Sequence, residues 1–497
     1  MLFNSLEFLF YLPIVFILYW FVFGKYSLLE SLFGRAWNTL KIQNLFIVFA
    51  SYLFYGWWDW RFLLLIFFTS VCSFVSGLFI HKWQGSTKAK ILSASNIILN
   101  LVILGFFKYY NFFIDSFVDI MTAFGLQAHV WSLHIILPVG ISFYTFQALS
   151  YSIDVYRKKI EPTHDIVAFL AYVSFFPQLV AGPIERATQL LPQFQKERHF
   201  DYDMAVDGLR QMLWGFFKKV VIADSCALYV NTVWADYTSH NTYTLILAIL
   251  LFSVQIYGDF SGYSDIAIGT AKLFGIQLMR NFHVPYFARD IGEFWRRWHI
   301  SLTTWFKDYL YIPLGGSRGG KWLTIRNTFI IFLVSGFWHG ANWTFVIWGL
   351  FHALLFMPAL LMQRNRRYVN HSVAQGHFFP TIKETLQMLL TFAFVTFAWI
   401  FFRAPSVYDA SQFIVQLTHW GHLNEMIETF RESGNTFYLG PKIILLIVIE
   451  WLLRDKQHGL ALPKTLPQII KLPLYVVLIY FILFNHGQAV DFIYFQF

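Results

Sequence analysis

Apolar runs recur along the whole chain, at residues 6–24, 43–58, 61–81, 91–107, 135–155, 243–258, 327–362, 385–403, 439–453 and 472–487. Most of them reach or approach the about 20 residues that a helix needs to cross the hydrocarbon of a bilayer. Shorter or interrupted apolar segments lie at 109–125, 166–181, 205–235 and 260–278, the pattern of re-entrant or interfacial pieces, which membranes tolerate only where protein or a wet cavity surrounds them. Only 13% of the residues are charged, against about 25% in a soluble domain. The predicted fold class is therefore all-α: a polytopic transmembrane helical protein in contact with membrane lipid.

Charge sets the expected orientation. Lys25, Arg35 and Lys41 mark one loop, Lys82, Lys88 and Lys90 a second, and Arg157, Lys158 and Lys159 a third. Arg364, Arg366 and Arg367 mark a fourth, with Arg454 and Lys456 in a fifth. Alternating the spans puts all five on one side, which the excess of lysine and arginine in cytoplasmic loops makes the inside. The acidic segment 405–437, with Asp409, Glu425, Glu428 and Glu432, then lies outside, and both termini are extracytoplasmic. The N-terminus lacks the basic leader and small-residue cleavage site of a signal peptide, so the first run reads as a retained helix. Strict alternation would leave the basic stretch 279–326 outside. It moves inside if 260–278 crosses back and 327–362 enters and returns as two pieces. The formal net charge of +9 is accounted for by these loops, and no basic run is long enough for a nucleic-acid face. Cys72 and Cys226 offer neither a disulfide framework nor a zinc pattern. No internal repeat is visible.

Two stretches break the apolar pattern with chemistry. Residues 294–316 read FWRRWHISLTTWFKDYLYIPLGG. Phe294, Trp295, Trp298, Leu302, Trp305, Phe306 and Tyr309 fall at three- and four-residue steps, one helical face, while Arg296, His299, Thr303 and Lys307 form the opposite stripe. Such a helix is too charged to span, because one charge at the bilayer centre costs about 3 kcal/mol or more. It either lies at the cytoplasmic interface or dips into a polar funnel.

The second stretch, IFLVSGFWHGANWTFVIWGLFHA at 331–353, belongs to an apolar run of about 36 residues. Gly336, Gly340 and Asn342 surround His339 near its middle, so a helix break is expected there, with His339 at membrane depth in a cavity. An intramembrane ionisable residue is a functional candidate by default; His352 is a weaker one. Histidine suits proton abstraction because its ordinary pKa of about 6.5 lies near working pH. An alcohol attacking an acyl thioester needs such a base, and needs donors for the developing oxyanion, which Asn342 or the indoles of Trp338 and Trp343 could supply. A buried histidine equally fits a proton-coupled transporter.

Other motifs carry less. GGSRG at 315–319 matches a hydrolase-elbow spacing, but it follows an amphipathic helix instead of a strand. The same loop, with Arg318 and Lys321, could cradle a pyrophosphate. His419, His422 and Glu425 have helical spacing but no fourth ligand, so no metal is assigned. Asp259 and Asp265 in DFSGYSDIAIG either line the cavity or cap helices at its edge.

EFWRRWHISLTTWFKDYLYIPLGG followed by SGFWHGANWTFVIWGLFHA strongly resembles the membrane-bound O-acyltransferase superfamily, in its bacterial branch of alginate O-acetyltransferase membrane subunits. LPVGISFYTFQALSYSIDVYR at 137–157, FFPQLVAGPIER at 175–186, YGDFSGYSDIAIG at 257–269 and the terminal FIYFQF agree. The resemblance implies one transmembrane domain over 1–497, its helices in a ring around a central tunnel. N-terminal helices would occupy 1–130, a catalytic core 131–365 and C-terminal helices 366–497. By the same resemblance His339 is the catalytic residue and His299 the second functional position. Arg296, Arg318, Lys321 and Asn342 are expected near the donor. The implied donor is acetyl-CoA at the cytoplasmic face. The implied acceptor is an extracytoplasmic polysaccharide, reached directly or through a partner with a serine-hydrolase-like fold, and the implied home is the bacterial inner membrane. Peptidoglycan O-acetylation, D-alanyl transfer to teichoic acid and, outside the enzymes, a proton-coupled polymer or lipid transporter remain as alternatives.

Overall fold

The computed structural model describes residues 1–24, 39–126, 133, 135–369, 372–434, 438–485, 490 and 492–493. Lys25, Arg35 and the last four residues of FIYFQF, Tyr494 to Phe497, lie outside the described residues. The described residues are overwhelmingly helical and contain no strand. In chain order the helices of the first half are α1 (Leu6–Ile17), α2 (Thr39–Asp59), α3 (Leu63–Lys82), α4 (Thr87–Leu104), α5 (Tyr110–Ala123) and α6 (Ile141–Tyr156). They continue as α7 (Ile166–Ser174), α8 (Phe176–Leu179), α9 (Ala187–Phe194), α10 (Tyr202–Phe216), α11 (Asp224–Ala235) and α12 (Thr242–Leu273). The remainder are α13 (Ile291–Arg297), α14 (Ile300–Phe306), α15 (Lys321–His339), α16 (Trp343–Leu361), α17 (Ile382–Arg403), α18 (Val407–Gln416), α19 (Leu423–Glu432), α20 (Leu439–Leu452) and α21 (Gln468–Phe484).

Among the described residues, five helical stretches are long and apolar enough to cross a membrane: 39–82, 87–123, 242–273, 343–361 and 382–403. Large apolar side chains remain exposed along them, among them Leu45, Phe49, Leu64, Phe68, Leu354, Leu386 and Leu389. Water would penalise such a surface, whereas lipid accommodates it. This is a multi-pass membrane protein.

The chain forms two compact units, one from 1–209 with 267–279, the other from 210–266 with 280–497. In the first, several buried polar groups pair between helices, as a low-dielectric interior favours. Asn96 of α4 donates to the Ser152 hydroxyl of α6 (2.6 Å), and the Tyr11 hydroxyl of α1 donates to the Ala50 carbonyl of α2 (2.8 Å).

The second unit carries both histidine motifs. Its helices α15 and α16 pack face to face through small residues. A methyl group on Gly336 would overlap the Phe345 carbonyl oxygen, and one on Gly349 the Phe332 carbonyl, so the two backbones touch as glycine-bearing membrane helices do. The unit has two distinct ends. At one, Thr242 N–H donates to the His419 carbonyl, the Asn241 amide to the His422 carbonyl, and Asn342 to the Pro405 carbonyl. At the other, His283 Nε2 meets the Arg454 carbonyl, Arg296 donates to Asn365, and Arg289 pairs with Glu384.

The 36-residue apolar run divides at Gly340–Asn342, as its glycine and asparagine cluster predicts. The crossing back by 260–278 does not occur. Residues 242–273 form one helix of 32 residues, about 48 Å long at 1.5 Å per residue. The turn signals in DFSGYSDIAIG are overridden because Gly258 and Gly262 are needed for contact: methyls there would meet the Lys218 and Gly215 carbonyls. Asp259 and Asp265 accordingly cap nothing. They sit mid-helix, where Asp259 pairs with Lys219 (2.8 Å) and Asp265 with Lys218 (2.6 Å). If α15 and α16 depend on glycine contact, Gly349→Val destabilises the protein, by about 1–3 kcal/mol as overpacking does, and lowers the unfolding midpoint in detergent. Val→Ala at the lipid-exposed Val476 leaves that midpoint within a degree or two.

Candidate active site

The segment leading into the first motif is organised around one carboxylate. Asp290 caps α13 by accepting from Glu293 N–H (2.7 Å). Glu293, 1% exposed, accepts from Arg289 backbone N–H (2.8 Å), from Arg289 Nε and Nη2 (both 3.0 Å), and from Arg297 Nε and Nη2 (3.2 and 2.8 Å). Arg289 continues to Glu384 (3.1 Å), with its guanidinium 3.9 Å from the centroid of the Tyr368 ring. Two arginines with one carboxylate satisfy nearly every donor and lone pair, the condition under which a buried charge is tolerated.

α13 ends where a second strand of chain competes for its backbone. His283 N–H donates to the Arg297 carbonyl and Ile300 N–H donates to the Asn281 carbonyl, both at 2.9 Å. The clamp pulls Trp298 into an extended conformation and puts His299 in the left-handed region at φ 44°, ψ 54°. For an L-residue that region costs about 1–2 kcal/mol, and such strain collects at functional sites. The expected single amphipathic helix is therefore broken. His299 leaves the stripe shared with Arg296, Thr303 and Lys307 and turns inward, to 1% exposure.

Its surroundings are aromatic and polar by turns. Phe260 meets the His299 ring edge-on (centroids 4.7 Å apart), and Phe282 lies nearly parallel to it (6.3 Å, 24°). Nδ1 of His299 lies 3.0 Å from Asn281 Oδ1. That oxygen also accepts from the Ser301 hydroxyl (2.9 Å) and Ser301 N–H (3.4 Å), while Asn281 Nδ2 donates to Ser264 (3.1 Å).

The second motif arrives on α15. His339 is its last residue, 3% exposed, and its ring centroid lies 6.3 Å from that of His299. Trp338 and Trp348 each stand 5.1 Å from His339, Phe402 5.5 Å, and Trp348 stacks on Trp399. Thus residues 40 positions apart in sequence share one aromatic cage. His352 belongs to the same cage, 4.8 Å from Trp348 and 5.0 Å from Trp295; among the described residues neither of its ring nitrogens has a hydrogen-bond partner.

The other expected residues are placed elsewhere or otherwise engaged. Asn342 is the N-cap of α16: its oxygen accepts from Thr344 N–H (3.0 Å) and its amide donates to the Pro405 carbonyl (2.7 Å). One hydrogen of that amide thus holds the helix break. Arg296 is half-buried and donates to the Asn365 carbonyl (2.7 Å). Arg318 and Lys321 are exposed; their loop is a series of turns with Gly315, Gly316 and Gly320 at positive φ. Lys321 opens α15 and His339 closes it, so about 27 Å of helix separates them. Glu425 bonds to Asn241 and Thr244.

Charge gathers instead where the local pattern offers little notice. A small cleft of about 20 Å³, partly open at its mouth, is lined by Lys218, Tyr257, Asp265, Arg280, Phe282 and Glu450. Phe282 is both its wall and a neighbour of His299. Lys218 and Lys219, which interrupt the apolar segment 205–235, and Asp265, already singled out in DFSGYSDIAIG, are the cleft's signals in the sequence. Asn281 carries none, since nothing local marks an asparagine as the partner of a residue 18 positions on.

The described residues thus form a helical, multi-pass membrane protein with two histidines buried side by side near a helix break. Comparison with known proteins gives the family. The membrane-bound O-acyltransferase family matches residues 53–402, and the chain belongs to it and is an acyltransferase. The probable alginate O-acetylase AlgI of Pseudomonas aeruginosa is 39% identical over 410 residues, covering 82% of this chain and 76% of that protein. The peptidoglycan O-acetyltransferase of Helicobacter pylori is 35% identical over 500 residues, covering 92% and 90%. The teichoic acid D-alanyltransferase of Bacillus subtilis is 28% identical over 292 residues, covering 56% and 71%.

His299 lies outside the apolar spans, and burial lowers its pKa from the ordinary 6.5 to about 3. The unfolded chain takes up a proton below about 6.5 that the folded protein refuses until about 3. Stability therefore falls as pH drops through that window and is unaffected by this group above it. The unfolding midpoint is expected to decline less steeply between pH 6.5 and 4 in His299→Phe than in the wild type, measured in the same detergent. Glu293→Gln strands two arginines and is expected to cost about 3–5 kcal/mol, read as loss of monodisperse protein on size exclusion.

Proposed function

We propose that the protein moves acetyl groups from cytoplasmic acetyl-CoA to hydroxyls of an extracytoplasmic polysaccharide of the alginate type, directly or through an extracytoplasmic partner of serine-hydrolase-like fold. The observation that carries the reading is the pair of buried histidine rings 6.3 Å apart in a chain of this family. In this reading His339 takes the proton of the attacking hydroxyl as the oxygen bonds to the thioester carbonyl. The carbon–sulfur bond then breaks, and the proton is returned to the departing thiolate. His299 orients the reacting groups beside it. Arg296, Arg318 and Lys321 are the candidates for holding the donor.

Orientation in the bacterial inner membrane follows from the ends of the second unit. One end gathers Arg280, Arg289, Arg296, Arg364 and Arg454 and takes the cytoplasmic side. The end that carries Asp409, Glu425 and Glu428 takes the outside. The continuous helix 242–273 then runs inward from residue 242. The basic stretch 279–326 stays inside in this reading, and both termini are proposed to be extracytoplasmic.

The relatives favour a second acceptor through one observation: the match to a peptidoglycan O-acetyltransferase extends over 92% of this chain. Ester-linked acetate measured separately on exopolysaccharide and peptidoglycan, from cells with and without the protein, distinguishes the two. For the chemistry, purified protein in nanodiscs is expected to consume acetyl-CoA slowly. His339→Ala should lower that rate by about 10²–10⁴, the usual worth of a positioned general base, while eluting as wild type on size exclusion. Equal consumption by both proteins, with acceptor present, would sink the assignment of His339.

A further inference from the structure

The hydrogen bonds around Asn281 fix more than its own position. Three groups converge on one of its side-chain atoms: the Ser301 hydroxyl, Ser301 N–H and His299 Nδ1, at 2.9, 3.4 and 3.0 Å. An amide's oxygen and nitrogen are exchanged easily in assignment, but a backbone N–H can only donate. The atom that faces Ser301 N–H must therefore be the oxygen. An oxygen facing His299 Nδ1 requires that Nδ1 carry the hydrogen. The amide's other end donates to Ser264, so Asn281, which is fully buried, is held from both sides and cannot turn over without losing both sets of bonds. Its backbone carbonyl meanwhile accepts from Ile300 N–H, so the residue that orients the ring also maintains the left-handed turn beneath it.

We propose that Asn281 is a positioning residue for His299, locking the imidazole in the Nδ1–H tautomer so that Nε2 presents only a lone pair to the active centre. The proposal rests on the reading of His299 as part of the acyl-transfer centre and divides the labour within it. With His339 taken as the base of the proposed reaction, a neutral His299 with Nε2 as acceptor receives a hydrogen bond from the hydroxyl or from His339 and holds it in line, having no Nε2 proton of its own to give. The same arrangement of an acceptor fixing a ring's tautomer is worth orders of magnitude in other histidine-dependent enzymes.

The charged and titratable groups on the elements around His299 are Arg280, His283 and Arg297 on the clamp itself, Lys219 and Asp259 beside Phe260, and His339. Asn281→Asp keeps the accepting oxygen and adds a negative charge against Nδ1–H, which favours the imidazolium. Asn281→Leu keeps the branched shape and the number of side-chain heavy atoms and removes the acceptor.

In nanodiscs, with acetyl-CoA consumption followed from pH 5.5 to 9, Asn281→Leu is expected to lose about 10- to 100-fold in kcat, as loss of a histidine's orienting partner does, with the KM for donor within about twofold. Asn281→Asp should recover most of the activity near pH 9 and lose it as pH falls, with an acid limb at least one pH unit above any in the wild type. Wild-type kcat in Asn281→Leu, or a wild-type pH profile in Asn281→Asp, would overturn the proposal. If the leucine variant does not fold, nitrogen-15 spectra of histidine-labelled wild-type protein decide the matter, with His299→Gln identifying the resonances. A protonated Nδ1 supports the lock, and a protonated Nε2 refutes it. Full activity in His299→Ala, with Nδ1 protonated in the wild type, would instead retire the functional reading of His299 and leave the tautomer assignment standing.

Discussion

Glu293 is the carboxylate on which the architecture of the second unit turns. It receives five hydrogen bonds from Arg289 and Arg297, and through Arg289 it reaches Glu384 at the start of α17. With the arginines anchored, Arg297 can give its backbone carbonyl to His283 instead of to the next turn of helix. The break that follows throws His299 into the interior. Ion pairing thus does indirectly what no side chain at position 299 could do alone: it offsets the strain of a left-handed histidine where that histidine is wanted.

A similar solution holds the second break. Leaving a helix inside a membrane protein exposes carbonyls and N–H groups that must be satisfied. Asn342 answers both needs at once by capping α16 and bonding to the Pro405 carbonyl. Glycine at 340 lets Phe345 close over the gap, since a methyl there would overlap its ring. The two breaks come from opposite ends of the unit and meet where His299 and His339 adjoin. Aromatic rings line the space between, and Asn281 and Ser301 supply a polar edge. An apolar setting strengthens each hydrogen bond made in it and favours neutral imidazole, which is the state an acceptor needs.

Family membership constrains the reaction class and leaves the polymer to the acceptor side. Relatives over most of this chain are named for alginate and for peptidoglycan, and a more distant one for teichoic acid. Differences in acceptor are to be sought on the acidic segment that follows Pro405 and on its contacts with Asn241 and Thr244.

Hydropathy alone determined that the chain is a multi-pass helical membrane protein, because lipid leaves the backbone no arrangement of lower energy. The break near His339 was legible too, since glycine and asparagine inside an apolar run favour a turn and weaken the helix on both sides of it. The two histidines stood out because ionisable groups are costly at that depth. Periodicity misjudged residues 294–316, where a regular 3.6-residue pattern concealed a turn imposed by Asn281 and His283. It also divided 242–273, whose glycines serve helix contact and not turns. Asn342 and Arg318 were plausible in sequence; in space one hydrogen of the Asn342 amide holds the helix break and Arg318 is exposed. Lys218, Lys219, Glu293 and Asn281 were nearly silent, because a buried polar residue acquires its meaning from partners brought in from elsewhere in the chain. Local sequence carries the cost of placing a group in lipid; only the tertiary structure decides which group offsets it.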